Sequence, residues 1–307
     1  MLRFLASRLL RMVVTLWAIV TIVFFATRVS GNAVDFLMPD GMDAVSRQAM
    51  IAYWGLDKPV LQQYWSFWNG LLHGQFGIGL GERRPVVDIL SARVWNSVSL
   101  LLTTLVVTIC VGVPVGIVAA LWRKSAAGSA LLLAAFMGYA IPNFVLAILL
   151  ILVFSFTLQV LPSSGSTTPL HYVMPTIALS AYFVAALIRF TRTAMLDVLS
   201  QDYIRTARAK GMSERQVVFN HALGNALIPV ITVLGLQVTT LVSGAVIVET
   251  VFAWNGIGDL LVSATLTRDY PVLQFGVLCV ASVVILVNIV VDLGYAAADP
   301  RVRSATP

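Results

Sequence analysis

Six stretches of this 307-residue chain are each long and apolar enough to cross a lipid bilayer. A hydrocarbon core about 30 Å thick needs about 20 residues of helix, and lipid offers the backbone no hydrogen-bond partner outside its own segment. The stretches lie at 9–29, 97–122, 129–158, 173–190, 226–252 and 272–294. A water-soluble fold fails on composition. With 59% hydrophobic and 11% charged residues, and a mean hydropathy of +0.89, the chain has too little polar surface to cover a core of this size. The expected fold is all-α: a polytopic membrane protein of six transmembrane helices.

The N-terminal run MLRFLASRLLRMVVTLWAIV starts basic, as a signal peptide does, but its apolar part is span-length and no small-residue cleavage site follows cleanly. It reads as a retained first span. Pro114, Pro142 and Pro175 lie within or near spans, and the third stretch is long enough to tilt or to break near Pro142. Small residues in GVPVG (112–116) and GLQVTTLVSG (235–244) suit close helix packing. Cys110 and Cys279 show neither CxxC spacing nor any pairing pattern, and both are expected to be small buried side chains.

The twenty basic residues orient the spans. With the N-terminus cytoplasmic, thirteen fall on inner segments (Arg3, Arg8, Arg11, Arg123, Lys124, Arg189, Arg192, Arg205, Arg208, Lys210, Arg215, Arg301 and Arg303). Seven fall outside, and six of these flank or lie within segment 30–96, which is long enough to be translocated with little regard to charge. The short loops therefore set N-in, C-in, and the excess of cations serves topology rather than nucleic acid. The domains follow: 1–29, N-terminal end and first span; 30–96, an outer (periplasmic) segment; 97–294, the core of spans two to six with a cytoplasmic loop at 191–225; 295–307, a cytoplasmic tail. Segment 30–96 holds a Pro-led helical pattern, a Gly-rich turn and a helix approaching span two, with four tryptophans between 54 and 95. It is predicted to be a small helical cap on the membrane surface.

The inner stretch YIRTARAKGMSERQVVFNHALGNALIP (203–229) carries Arg205, Arg208, Lys210 and Arg215 against one acid, Glu214. Ile204, Ala207 and Gly211 recur at helical spacing, so one side is small and smooth. Gly211 suits a left-handed helix end, and Ser213 with Gln216 forms a capping box that starts a second helix. A short helix, a sharp turn and a helix leading into span five result. Such a knob can enter a groove on another protein, or it can be a solvated connector carrying topogenic charge.

DYIRTARAKG followed by HALGNALIP resembles the cytoplasmic coupling loop of permease subunits of bacterial ABC importers, in the oligopeptide, dipeptide and nickel branch. In the signature of the wider family, Glu-Ala-Ala-x-x-x-Gly, this chain has Arg205, Thr206 and Ala207 before Gly211. GLDKPVLQQYW, GQFG (74–77), RRPV (83–86), IVETVFAWNGIGDLL, RDYPVLQ (268–274) and VDLGYAAADPRVR are similar to further motifs of that branch. Two departures are Val-Ser-Gly-Asn after span one, where Pro-Gly-Asp-Pro is common, and Asn255, where proline is common.

The resemblance implies half of a translocation pathway in the bacterial inner membrane, moving peptides, nickel chelates, glutathione or a related small solute. It implies as partners a second similar permease, two ATPase subunits, an external solute-binding protein and membrane lipid. The coupling residues would be Asp202, Tyr203, Arg205, Thr206, Ala207, Arg208, Ala209, Lys210, Gly211, Ser213 and Glu214. The chain lacks G-x-x-x-x-G-K-[ST], so no cofactor is expected here and ATP-Mg would bind the partner ATPase; the chain itself is not expected to be an enzyme.

Glu249 and Asp292 are intramembrane acids and so candidates for the pathway or its gate, although both lie near a span end where a structural role also fits. Thr239, Thr240 and Ser243 can present hydroxyls to a pathway or to a neighbouring helix. An ion-coupled secondary transporter is the alternative class, but it calls for titratable groups near the midplane that the spans lack. An intramembrane hydrolase needs a partnered nucleophile, whereas His73, His171 and His221 lie in loops or at span edges without metal-ligand spacing.

Overall fold

The computed structural model describes residues 2–29, 44–53 and 55–298, and side chains over most of that range. The described residues are helical apart from turns and one isolated antiparallel bridge, Ile78 with Pro85. The helices are α1 (Leu2–Val29), α2 (Ala44–Tyr53), α3 (Val60–Leu72), α4 (Val86–Leu121), α5 (Ala126–Ala140) and α6 (Asn143–Leu150). They continue with α7 (Pro169–Leu199), α8 (Asp202–Ala209), α9 (Leu223–Val251), α10 (Ile257–Leu266) and α11 (Tyr270–Ala298). π-Helical turns extend α6 through Ile151–Thr157 and lead into α9 through Val217–Ala222.

Among the described residues, five helices are long and apolar enough to cross a membrane: Leu10–Val29, Val86–Leu121, Pro169–Leu199, Glu214–Val251 and Tyr270–Val291. The sixth predicted span, 129–158, is not one straight rod. Ala126–Ala140 and Asn143–Thr157 meet at an angle of 99°, so the pair is either a broken span or a re-entrant loop. Pro142 explains the break, because it forces the preceding residue out of helical geometry; Ile141 is extended at φ −85°, ψ 121°. Ser125 caps α5 by accepting from the Gly128 amide at 3.1 Å.

The chain divides into two compact units, and the division falls within α4 and α11. The first contains Met1–Trp95 with Asn255–Ile285. Here α3 lies on α1: Phe24, fully buried, meets the Tyr64 ring edge-on at 5.3 Å, and the Thr21 and Tyr64 hydroxyls bond at 2.8 Å. Val86, Ile89 and Leu90 pack on Leu260, Ala264 and Val272. Asp269 caps α11, accepting from the Val272 amide at 3.4 Å and from the Gly81 amide at 3.0 Å, which ties the glycine-rich turn to that helix.

The second unit contains Asn96–Trp254 with Leu286–Pro307. Leu100, Leu179, Phe183, Leu241 and Val248 form one core cluster with Trp254, whose indole donates to the Asn96 carbonyl at 3.0 Å. Small residues do bring helices together. A Cβ on Gly116 would sit 2.6 Å from the Thr191 Cβ, and one on Gly112 would sit 2.8 Å from Leu187 Cδ2, so α4 and α7 approach backbone to side chain at both places. One expectation is corrected: Cys110 is exposed on α4 and Cys279 is only half-buried, because the apolar outer face of a spanning helix can meet lipid and need not turn inward.

Candidate functional site

The stretch after α7 is built from local chemistry. α8 has Asp202 in its first turn and Arg208 in its last, each favourable to the helix dipole. It ends in a Schellman motif. Gly211 takes φ +81°, its amide donates to the Arg208 carbonyl at 2.9 Å, and the Met212 amide reaches the Ala207 carbonyl at 3.4 Å. A Cβ at Gly211 would meet nothing within 4 Å. Dihedral freedom, not close packing within the chain, is therefore what requires glycine there.

Ser213 then restarts the helix. Its Oγ accepts from the Gln216 amide at 3.4 Å, while the Gln216 Oε1 accepts from the Ser213 amide at 3.0 Å. Arg208 bridges the turn, with Nε to Glu214 Oε1 at 2.7 Å and Nη2 to Oε2 at 3.2 Å. That bond raises the Arg208 guanidinium above its ordinary value. Asn225 Nδ2 donates to the Tyr203 hydroxyl at 2.9 Å, linking α8 to the base of α9.

The small side of α8 faces inward. Ile204 and Ala207 are buried with Leu187, Met195, Val217, Val218 and Ala226, so α7, α8 and the start of α9 share one core. The surface that remains is polar: Asp202, Tyr203, Arg205, Thr206, Arg208, Ala209, Lys210, Gly211, Ser213 and Glu214 are all exposed. The Arg205–Asp202 pair at 3.7 Å lies in open solvent and contributes little.

The pathway candidates differ in their surroundings. Glu249 is buried in the second unit, 1% exposed, among the residues of its core. Thr239 donates to Asn288 Oδ1 at 2.6 Å and so ties α9 to α11. Thr240 bonds back to the Leu236 carbonyl at 3.5 Å, and Ser243 is exposed. Asp292 belongs to α11, but its side chain lies outside the described residues, as do Val-Ser-Gly-Asn beyond Val29 and Trp54. No group of three or more metal-ligating side chains occurs among the described residues. Sequence reasoning treated Arg28 only as a topogenic charge, yet it sits over the Phe24 ring at 4.3 Å and donates to Gln63 at 3.0 Å. Nothing in the sequence joins positions 28 and 63.

Residues 112–304 match the family described as binding-protein-dependent transport system inner membrane component, and residues 1–101 match its N-terminal membrane component. The chain belongs to this family. It is a multi-pass permease component of the bacterial inner membrane. The permease is 40% identical over 304 residues to the glutathione transport system permease protein GsiC of Escherichia coli, covering 99% of both chains. GsiC of Shigella dysenteriae matches to the same extent. Among solved structures, an inward-facing MetNI methionine ABC transporter superposes with TM-score 0.60 at 18% identity, over 70% of the permease and 98% of that chain. An amino acid ABC transporter gives TM-score 0.52 at 14% identity, over 69% and 94%. At these identities the two structures support the fold alone.

Proposed function

We propose that this permease forms half of the translocation pathway of an ATP-driven importer for a peptide or related small conjugate. A second similar permease, two separate ATPase subunits that bind ATP-Mg, and an external solute-binding protein complete the complex. The spans run N-in, C-in, segment 30–96 caps the outer face, and residues 202–214 dock on one ATPase in the cytoplasm. Peptide-class solutes fit relatives named for glutathione transport.

One observation carries this reading over a solvated connector: α8 buries Ile204 and Ala207 in the same cluster that holds Leu187 and Met195 of α7 and Val230 of α9. A connector would be free to move, whereas this knob is fused to two spans. A push on its exposed cationic rim reaches those spans as a rigid displacement, which suits the rocking of an alternating-access transporter.

The test reverses charge on the rim without touching the core or the Arg208–Glu214 bridge. In the reconstituted complex, the double variant Arg205→Glu, Lys210→Glu should keep its membrane level. Its solute-stimulated ATP hydrolysis should fall at least about tenfold, since like charges set against each other at an interface cost several kcal/mol. Unchanged stimulation would refute docking through this rim. Uptake that survives ATP depletion and stops with an ionophore would favour the secondary transporter instead.

A further inference from the structure

We propose that a cavity beside Arg28, in the first unit, is a docking site for the carboxylate of the transported solute. The solute assignment rests on the importer reading above; the carboxylate site itself rests on the cavity. The cavity has a volume of about 640 Å³ and is lined by Arg28, Gly77, Gly79, Arg83, Tyr270 and Gln274, among others. That is within the range of about 300–1,000 Å³ typical of small-molecule sites. A second recess of about 450 Å³ shares Arg28, Gly77, Pro271 and Gln274, so the guanidinium stands where both open.

Arg28 is held in place by neutral groups. Its Nε donates to Gln63 Oε1 at 3.0 Å and its Nη1 to Thr27 Oγ1 at 3.3 Å; the Phe24 and Tyr270 rings flank it at 4.3 and 5.1 Å. Thr27 is fixed in turn by donating to the Phe24 carbonyl at 2.7 Å and accepting from the buried Gln274 amide at 3.3 Å. Arg28 forms no ion pair with a described residue, and Nη2 has no described partner. A half-buried cation at the end of a span, set by neutral side chains, therefore has no counter-charge among the described residues, and burial ordinarily requires one. A second cation, Arg83, lines the same cavity, and none of the described lining residues is an acid.

The opposite wall is preformed. Arg83 holds φ +53°, its amide donates to the Gly79 carbonyl at 2.9 Å, and the Gly79 amide donates to the Arg84 carbonyl at 2.8 Å. A Cβ at Gly79 would lie 2.5 Å from Ile89 Cδ1 and 3.1 Å from Val272 Cγ2, so a side chain there would push both neighbours aside. A planar carboxylate matches the free edge of a guanidinium. Every unblocked peptide supplies one.

The test reads Arg28 directly and needs no transport. The full chain in its reconstituted complex is treated with phenylglyoxal, and modification of Arg28 is followed by mass spectrometry, with Arg84 as an internal control. Trialanine at millimolar concentration should slow modification of Arg28 about tenfold more than its C-terminal amide does, as expected for exchange of a charged for a neutral partner. Equal protection by both, protection by neither, or equal protection by inorganic phosphate would overturn the carboxylate site. Protection by the unloaded binding protein alone would assign the carboxylate to that protein and overturn the solute's claim. In an uptake arm with labelled probes, Arg28→Gln should lower import of the acid and leave the amide unchanged; an equal loss of both would show a merely structural arginine. Specific protection in a complex that imports neither probe would remove the importer reading and leave the site standing.

Discussion

At the scale of single residues, α8 sorts its side chains by what each can tolerate. Ala207 is 5% exposed beneath the knob, so Ala207→Asp would bury a carboxylate in a cluster of apolar side chains. That variant should fail to accumulate in the membrane, as judged by quantitative immunoblotting. Gly211 has open space around it, so a substitution there meets only the backbone penalty. Gly211→Ala should lower stability by about 1–2 kcal/mol, the penalty of a left-handed conformation for a residue with a Cβ, and Gly211→Asn by less. Thermal unfolding in detergent checks both, and a loss in Gly211→Ala as severe as that in Ala207→Asp would contradict the distinction. Both positions were visible in the sequence as one small face. The inward direction of Ala207 was not, because it depends on Met195, Val217 and Ala226 arriving from neighbouring elements.

At the scale of helices, close approach and bending matter more than helix propensity. Gly116 lets α4 come within 2.9 Å of the Ile188 carbonyl, measured from where a Cβ would be. Gly116→Val should therefore cost about 1–3 kcal/mol through overpacking. Gly224 on α9 meets nothing, and Gly224→Ala should be neutral or stabilising by roughly 0.5–1 kcal/mol, as for an open helical glycine. Melting temperatures of the two variants compare them directly, and equal losses would contradict the packing described. The spans, the Ser213 capping box and the Gly211 turn were legible because they depend on local periodicity and cap chemistry. The 99° turn at Pro142 was legible only as a possible break, since proline marks where a helix stops and not where the chain goes next. The π-helical turns at Ile151–Thr157 and Val217–Ala222 left no sequence signal, and the cavity beside Arg28 needs positions 27, 28, 63 and 274 to meet in space.

At the scale of the whole molecule, the bent pair α5–α6 decides which side of the membrane holds the stretch proposed to dock on the ATPase. If the pair crosses, a cytoplasmic N-terminus puts residues 202–214 in the cytoplasm. If it dips in and returns, the same stretch lies outside, along with Arg189, Arg192, Arg205, Arg208, Lys210 and Arg215. Six cations on or beside one short translocated loop run against the positive-inside rule, so the account requires the pair to cross. The direct test is a cysteine at Ala209, which is exposed and takes part in no cap, in a chain whose Cys110 and Cys279 are replaced by alanine. A membrane-impermeant maleimide should leave Ala209→Cys unlabelled in intact spheroplasts and label it in inside-out vesicles; labelling from outside the spheroplasts would contradict the central claim.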